Sequence, residues 1–94
     1  MPLPQQLRVA RWRVKIRDKE TREPPHVTIL RGTAAWRINL RTGRFMDKRP
    51  KPADVPDEVI EHIMSEENWD LLRQQWDLMY PRNPVQGEED QAGE

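Results

Sequence analysis

Ala10, Trp12, Val14 and Ile16 alternate with Arg11, Arg13, Lys15 and Arg17. Successive side chains of an extended strand point to opposite faces, so this stretch predicts a strand with one apolar and one cationic face. Asp18 to Pro25 is rich in charge and closes on Pro24-Pro25. Proline fixes its own backbone and restricts the residue before it, which predicts a loop finishing in a stiff extended pair. Val27 to Arg31 and Ala35 to Leu40 then read as two strands joined by a tight turn at Gly32-Thr33, a hairpin with Trp36, Ile38 and Leu40 on one face. Arg41-Thr42-Gly43-Arg44 supplies another turn, and Phe45-Met46 predicts a short fourth strand before Pro50 and Pro52 interrupt the pattern.

The period changes after Pro56, which suits the first position of a helix. Asp57 and Glu58 favour the positive end of the helix dipole, and Val59, Ile60, Ile63 and Met64 form one apolar stripe. Ser65 either caps a second helix, with Glu66 and Glu67 in its first turn, or lies within one bent helix. Trp69, Leu72, Trp76 and Met79 share one side of that helix, with Leu71 and Leu78 beside them, and Pro81 stops it. Strands come first and helices afterwards. That order predicts an α+β fold, a small antiparallel sheet of three to four strands packed against one or two C-terminal helices. The expected core is Trp12, Val14, Ile16, Ile29, Trp36, Ile38, Val59, Ile63, Trp69, Leu72 and Trp76. The expected organisation is a flexible N-terminus over 1–6, a single domain over 7–83 and a disordered acidic tail over 84–94.

Composition adds class and location. A chain of 94 residues has room for one domain, and a mean hydropathy of -1.00 is polar, yet four tryptophans argue for a folded middle between polar ends. With no cysteine there is no disulfide and no thiolate metal site, so the cytoplasm is the expected compartment. No stretch approaches the roughly 20 apolar residues of a spanning helix, and the first residues lack the apolar run of a signal peptide, so no membrane association is expected.

The formal net charge of zero conceals a segregation. Met1 to Ala53 holds 14 Lys/Arg against four acids, net +10, whereas Asp54 to Glu94 holds two against 12, net -10. Such asymmetry points to a polyanion-binding face, a charged partner, or attraction between the halves. Arg11, Arg13, Lys15 and Arg17 form a cationic row able to track phosphates, Arg37 on the neighbouring hairpin is a secondary contact, and Arg31, Arg41 and Arg44 extend the patch. The alternation places Trp12 and Trp36 opposite this row, in the core.

His26, at a loop–strand junction among Arg22, Arg31 and Arg37, is the one candidate for acid–base chemistry on an RNA phosphate. The blander reading, that it bonds locally at a proline-fixed junction, outweighs it. His62 reads as a helix-surface residue. Two isolated histidines give no metal-ligand spacing, Ser65 is the lone serine at a helix start, and the four glycines are dispersed, so neither a metal, a cofactor nor a phosphate loop is expected.

The run Glu23-Pro24-Pro25-His26-Val27 leading into a strand, the hairpin followed by a Thr-Gly turn, and the Leu72/Trp76 pair resemble a small bacterial domain-of-unknown-function family built around Pro-Pro-His. The resemblance spans roughly Val9 to Val85. It implies membership of two-gene, toxin–antitoxin-style pairs, and no established reaction. In that family a second histidine usually stands two residues after the first; here it is Thr28. The sequence therefore suggests a small non-enzymatic protein whose basic sheet face binds nucleic acid or an acidic cognate protein. The alternative is a metal-free ribonuclease toxin acting through His26 and nearby arginines.

Overall fold

A computed structural model of the protein describes residues 3–19 and 22–86. Within it the strand-like segments form one antiparallel sheet, β1 (Arg13–Lys15), β2 (His26–Arg31) and β3 (Ala34–Asn39), in the order β1-β2-β3. Arg31 pairs with Ala34 around the two-residue Gly32-Thr33 loop, and Gly32 has φ +60. Positive φ at the first loop position is what a type II′ hairpin turn requires, and glycine adopts it without a steric penalty. The register brings Val14 opposite Ile29, Ile29 opposite Trp36 and Val27 opposite Ile38, one apolar face. The other face carries Lys15, Thr28 and Arg37 as a row across all three strands.

Helices α2 (Asp57–Met64) and α3 (Glu66–Met79) follow, so the fold is α+β, a three-stranded antiparallel sheet with C-terminal helices. Two helices, not one bent one, result from Ser65 at φ −57, ψ 142, an extended residue between them. Its hydroxyl does not cap α3 but turns back to donate to the His62 carbonyl at 3.0 Å. Val59, Ile63, Leu72 and Trp76 join Trp12, Ile16, Ile29, Trp36 and Ile38 in a single core. Val14 and Trp69, expected within it, are only partly buried, and Leu71 and Leu78 are exposed.

The chain departs from the predicted first strand at Arg11. A short helix, α1 (Gln5–Val9), precedes it, with Leu3 and Leu7 buried in the core although the first of them lies in the segment expected to be flexible. The Trp12 amide donates to the Leu7 carbonyl at 3.0 Å and the Arg11 amide to the Arg8 carbonyl at 2.9 Å. These two bonds and a left-handed residue between them, Arg11 at φ 72, make a Schellman cap, and Leu7 and Trp12, the two positions that usually clasp such a cap, are both buried in the core. Glycine is the residue this position favours, because a Cβ crowds the backbone there. Arg11→Gly is accordingly expected to stabilise the fold by about 0.5 to 1 kcal/mol. Chemical denaturation of the variant checks it, and a loss of stability would mean that the arginine side chain holds the cap in some other way.

The fourth strand is reduced to an isolated bridge between Ile38 and Phe45. Asn39 explains why: its side-chain carbonyl accepts the amides of Arg41 and Thr42 at 2.7 and 3.1 Å, winding the chain into a turn that ends at Gly43, φ +73. The chain beyond α3 also remains attached. Val85 is 1% exposed and its amide donates to Asp77 Oδ1 at 2.8 Å, so the acidic tail does not begin at residue 84. The remainder of that predicted tail, 87–94, lies outside the described residues.

Candidate anion-binding surface

Of the four cations in the predicted row, Arg13 and Lys15 lie on β1, both exposed, on the face opposite Val14. Arg11 sits in the cap before the strand and Arg17 after it, each with an exposed side chain. Arg17 is fixed through its backbone, whose carbonyl accepts the Tyr80 hydroxyl. Among the described residues, none of these four cations lies within ion-pair distance of a carboxylate. Asp57, Glu58 and Glu61 on α2 are themselves exposed.

The expected extension of the patch is mostly engaged elsewhere. Arg31 lies on the Val27–Ile29 face, donates through Nε to the Ala10 carbonyl at 3.1 Å, and stands 5.2 Å from the Trp12 ring centroid. Arg41 reaches the 83–85 segment, donating to the Val85 and Pro84 carbonyls at 2.7 and 2.9 Å. Arg44 remains exposed.

Arg37 does share the face of Lys15, but its charge is met by two carboxylates. Nε and Nη2 donate to Asp47 Oδ2 and Oδ1 at 2.8 and 2.7 Å, a bidentate pair, and Nη1 donates to Glu23 Oε2 at 2.5 Å. The hydrogen bonds from Arg37 hold the Asp47 carboxyl below its ordinary value against the opposing effect of burial. The same contacts, Asp47 first, raise the arginine further. The clamp thus places two acids where a phosphate-tracking contact was expected, and sequence reasoning had given Glu23 and Asp47 no role.

A carboxyl whose folded pKa is depressed contributes stability that is fully present above its unfolded pKa, near 4, and lost as pH falls through the lower folded value. Stability is therefore expected to drop below about pH 4 partly through Asp47. In Arg37→Met that share of the acid-limb slope should disappear. Denaturation midpoints of both proteins between pH 2 and 6 read it, and superimposable slopes would remove the clamp from the pH dependence.

His26 is 1% exposed. Its Nδ1 lies 2.9 Å from the Pro24 carbonyl, which can only accept, so this nitrogen carries the proton. Nε2 is 3.8 Å from Glu23 Oε2, and the ring packs on Trp76 at 5.4 Å between centroids. The Pro24-Pro25 pair thus delivers the imidazole into the interior. Thr28, two residues on and on the same face, is also 1% exposed, and its hydroxyl has no hydrogen-bond partner among the described residues. Trp12 and Trp36 pack together in the core at 5.4 Å, with the Trp36 indole donating to the Lys51 carbonyl, so neither offers a face for base stacking.

Among the described residues no three histidine, aspartate or glutamate side chains are grouped to hold a metal, and no helix is long and apolar enough to cross a membrane. No protein-family model matches the chain, and no curated protein or solved structure matches it.

Proposed function

We propose that this is a non-enzymatic binding protein whose exposed cations around β1 hold the phosphate backbone of a nucleic acid. The observation that carries the reading is the set Arg11, Arg13, Lys15 and Arg17, all exposed and, among the described residues, unpaired with any carboxylate. Charges left unneutralised beside a short edge strand attract a polyanion without reading its sequence. Burial of Trp12 and Trp36 supports backbone contact rather than base recognition. His26, enclosed between Pro24 and Trp76, supports binding over the ribonuclease alternative, since a general acid or base must reach its substrate. The Pro-Pro-His resemblance adds a setting, one member of a toxin–antitoxin-like pair, in which an acidic cognate protein is the competing partner.

Affinity for single-stranded or duplex nucleic acid is expected to fall steeply with salt, because each neutralised phosphate releases condensed counterions. Arg13→Ala with Lys15→Ala should flatten the slope of log affinity against log salt by roughly 1.4 to 1.8, taking about 0.7 to 0.9 per contact. Stability should move by no more than about 0.5 kcal/mol, since both positions are solvated. Neutralising Asp57, Glu58 and Glu61 tests self-neutralisation: binding seen only in that variant would mean the acidic half masks the patch. No binding by any of the three proteins at low salt ends the nucleic-acid reading and leaves the acidic protein. RNA cleavage lost in a folded His26→Ala variant would replace binding by catalysis.

A further inference from the structure

Residues 44–51 leave the end of the hairpin as Arg-Phe-Met-Asp-Lys-Arg-Pro-Lys, four cations against one acid. Arg44, Lys48, Arg49 and Lys51 are all exposed, and among the described residues none of them lies within ion-pair distance of a carboxylate. The one acid, Asp47, is taken up by its bidentate pair with Arg37. The segment therefore presents net positive charge to water.

The backbone beneath these cations is fastened to the sheet. The Asn39 amide donates to the Arg44 carbonyl and the Met46 amide to the Arg37 carbonyl, both at 2.9 Å, and Phe45 bridges Ile38. At the far end the buried Trp36 donates its indole N–H to the Lys51 carbonyl at 2.9 Å. None of these bonds uses a cationic side chain of the loop, so a polyanion meets a backbone already in place and little ordering entropy is lost on binding. Ile38 pairs with Val27 of β2 on its other side, so Phe45 lies along the free edge of β3, across the sheet from β1. Three strand spacings of about 4.8 Å set that edge roughly 14 Å from β1. This is about four phosphates along one strand of a duplex at about 3.4 Å each, so the loop makes contacts of its own instead of sharing those of Arg13 and Lys15.

We propose that the 44–51 loop is a second phosphate-binding site for nucleic acid, with Lys48 and Arg49 as its main contacts and Arg44 and Lys51 flanking them. It rests on the reading of the protein as a nucleic-acid binder, but not on the β1 cations. The make-up of the loop favours nucleic acid over an acidic protein. Its fully exposed side chains are all cations, with Phe45, Met46 and Pro50 half-buried, whereas a protein interface is built on an apolar centre depleted in lysine. An evenly charged phosphate backbone needs only the cations.

Fluorescence anisotropy of a labelled mixed-sequence duplex, titrated with the full chain at several salt concentrations, tests it. Lys48→Ala with Arg49→Ala should flatten the slope of log affinity against log salt by about 1.8, taking about 0.9 per duplex contact, and by the same amount when added to Arg13→Ala with Lys15→Ala. The thermal midpoint should stay where it is, since both side chains are solvated. A wild-type slope in the loop variant overturns the loop site and leaves the β1 surface standing. A slope that responds to the loop variant but not to the β1 variant supports the loop and removes β1 from the interface. A wild type that binds no duplex at low salt overturns both sites together. Polyglutamate bound as tightly as the duplex overturns the assignment to nucleic acid.

Discussion

Trp76→Ala is expected to destabilise the protein by about 3 to 5 kcal/mol, the range for emptying a buried aromatic site. Trp76 is the largest of the fully buried side chains, at 0% exposure, and its ring lies 4.1 Å from that of Tyr80 and 5.4 Å from that of His26 between centroids. Its indole nitrogen donates to the Asn83 carbonyl at 2.8 Å. Alanine would therefore leave a cavity, unseat the His26 ring and strip an acceptor of its donor. Small domains hold roughly 5 to 15 kcal/mol in all, so the variant should be partly unfolded at room temperature. Denaturant titration measures this, with the exposed Leu78→Ala as a near-neutral control on the same helix. A cost below about 1 kcal/mol, less than the usual range for a buried aromatic, would mean that α3 is not seated on the sheet through this residue.

Arg41→Ala should cost about 2 to 3 kcal/mol. The guanidinium donates to the Val85 and Pro84 carbonyls, with Asn83 Oδ1 at 3.5 Å, and hydrogen bonds to a charged group contribute roughly 1.5 to 3 kcal/mol. One planar fork thus binds the segment after α3 to the end of the sheet. Lysine lacks that fork, so Arg41→Lys should recover only part of the loss. Amide exchange locates the effect: protection should fall across 80–86 before it falls on β2. Equal loss everywhere would mean that Arg41 supports the whole fold and not this segment.

How much of this was legible varies with the range of the interaction. Alternation in the hairpin and the 3-4-3 spacing of Trp69, Leu72, Trp76 and Met79 are local patterns, and the hairpin and α3 follow them. The first strand was overextended because Ala10 to Arg13 keeps the alternation while the backbone at Arg11 turns left-handed, and an arginine gives no warning where a glycine would. Arg13 and Lys15 were readable as exposed cations from their neighbours alone. Arg37 was not readable as a clamped one, since Glu23 and Asp47 are 14 and 10 residues away and meet it only when β3 and its following turn are in place. Arg41 looked like one more surface cation for the same reason, its acceptors lying 43 and 44 residues downstream. Thr28 is different in kind: its burial follows from a central strand, but nothing local announces a hydroxyl that has no partner among the described residues.

The bonds made by residues 80–85 bear on how the chain is born. Tyr80 reaches Arg17 across 63 positions, Asn83 reaches the Glu23 carbonyl across 60, and Val85 receives Arg41 across 44. On the ribosome the hairpin can zip up as soon as β3 has emerged, since its contacts are near neighbours. The loop before β2 and the sheet's far end must wait for the last turns of α3 and the six residues behind it. Contacts of such separation form late because loop closure is costly before they form. Until then the His26 ring lacks the Trp76 ring it packs against, which makes the interval between translating Arg41 and Val85 the period in which a chaperone would find a surface to hold.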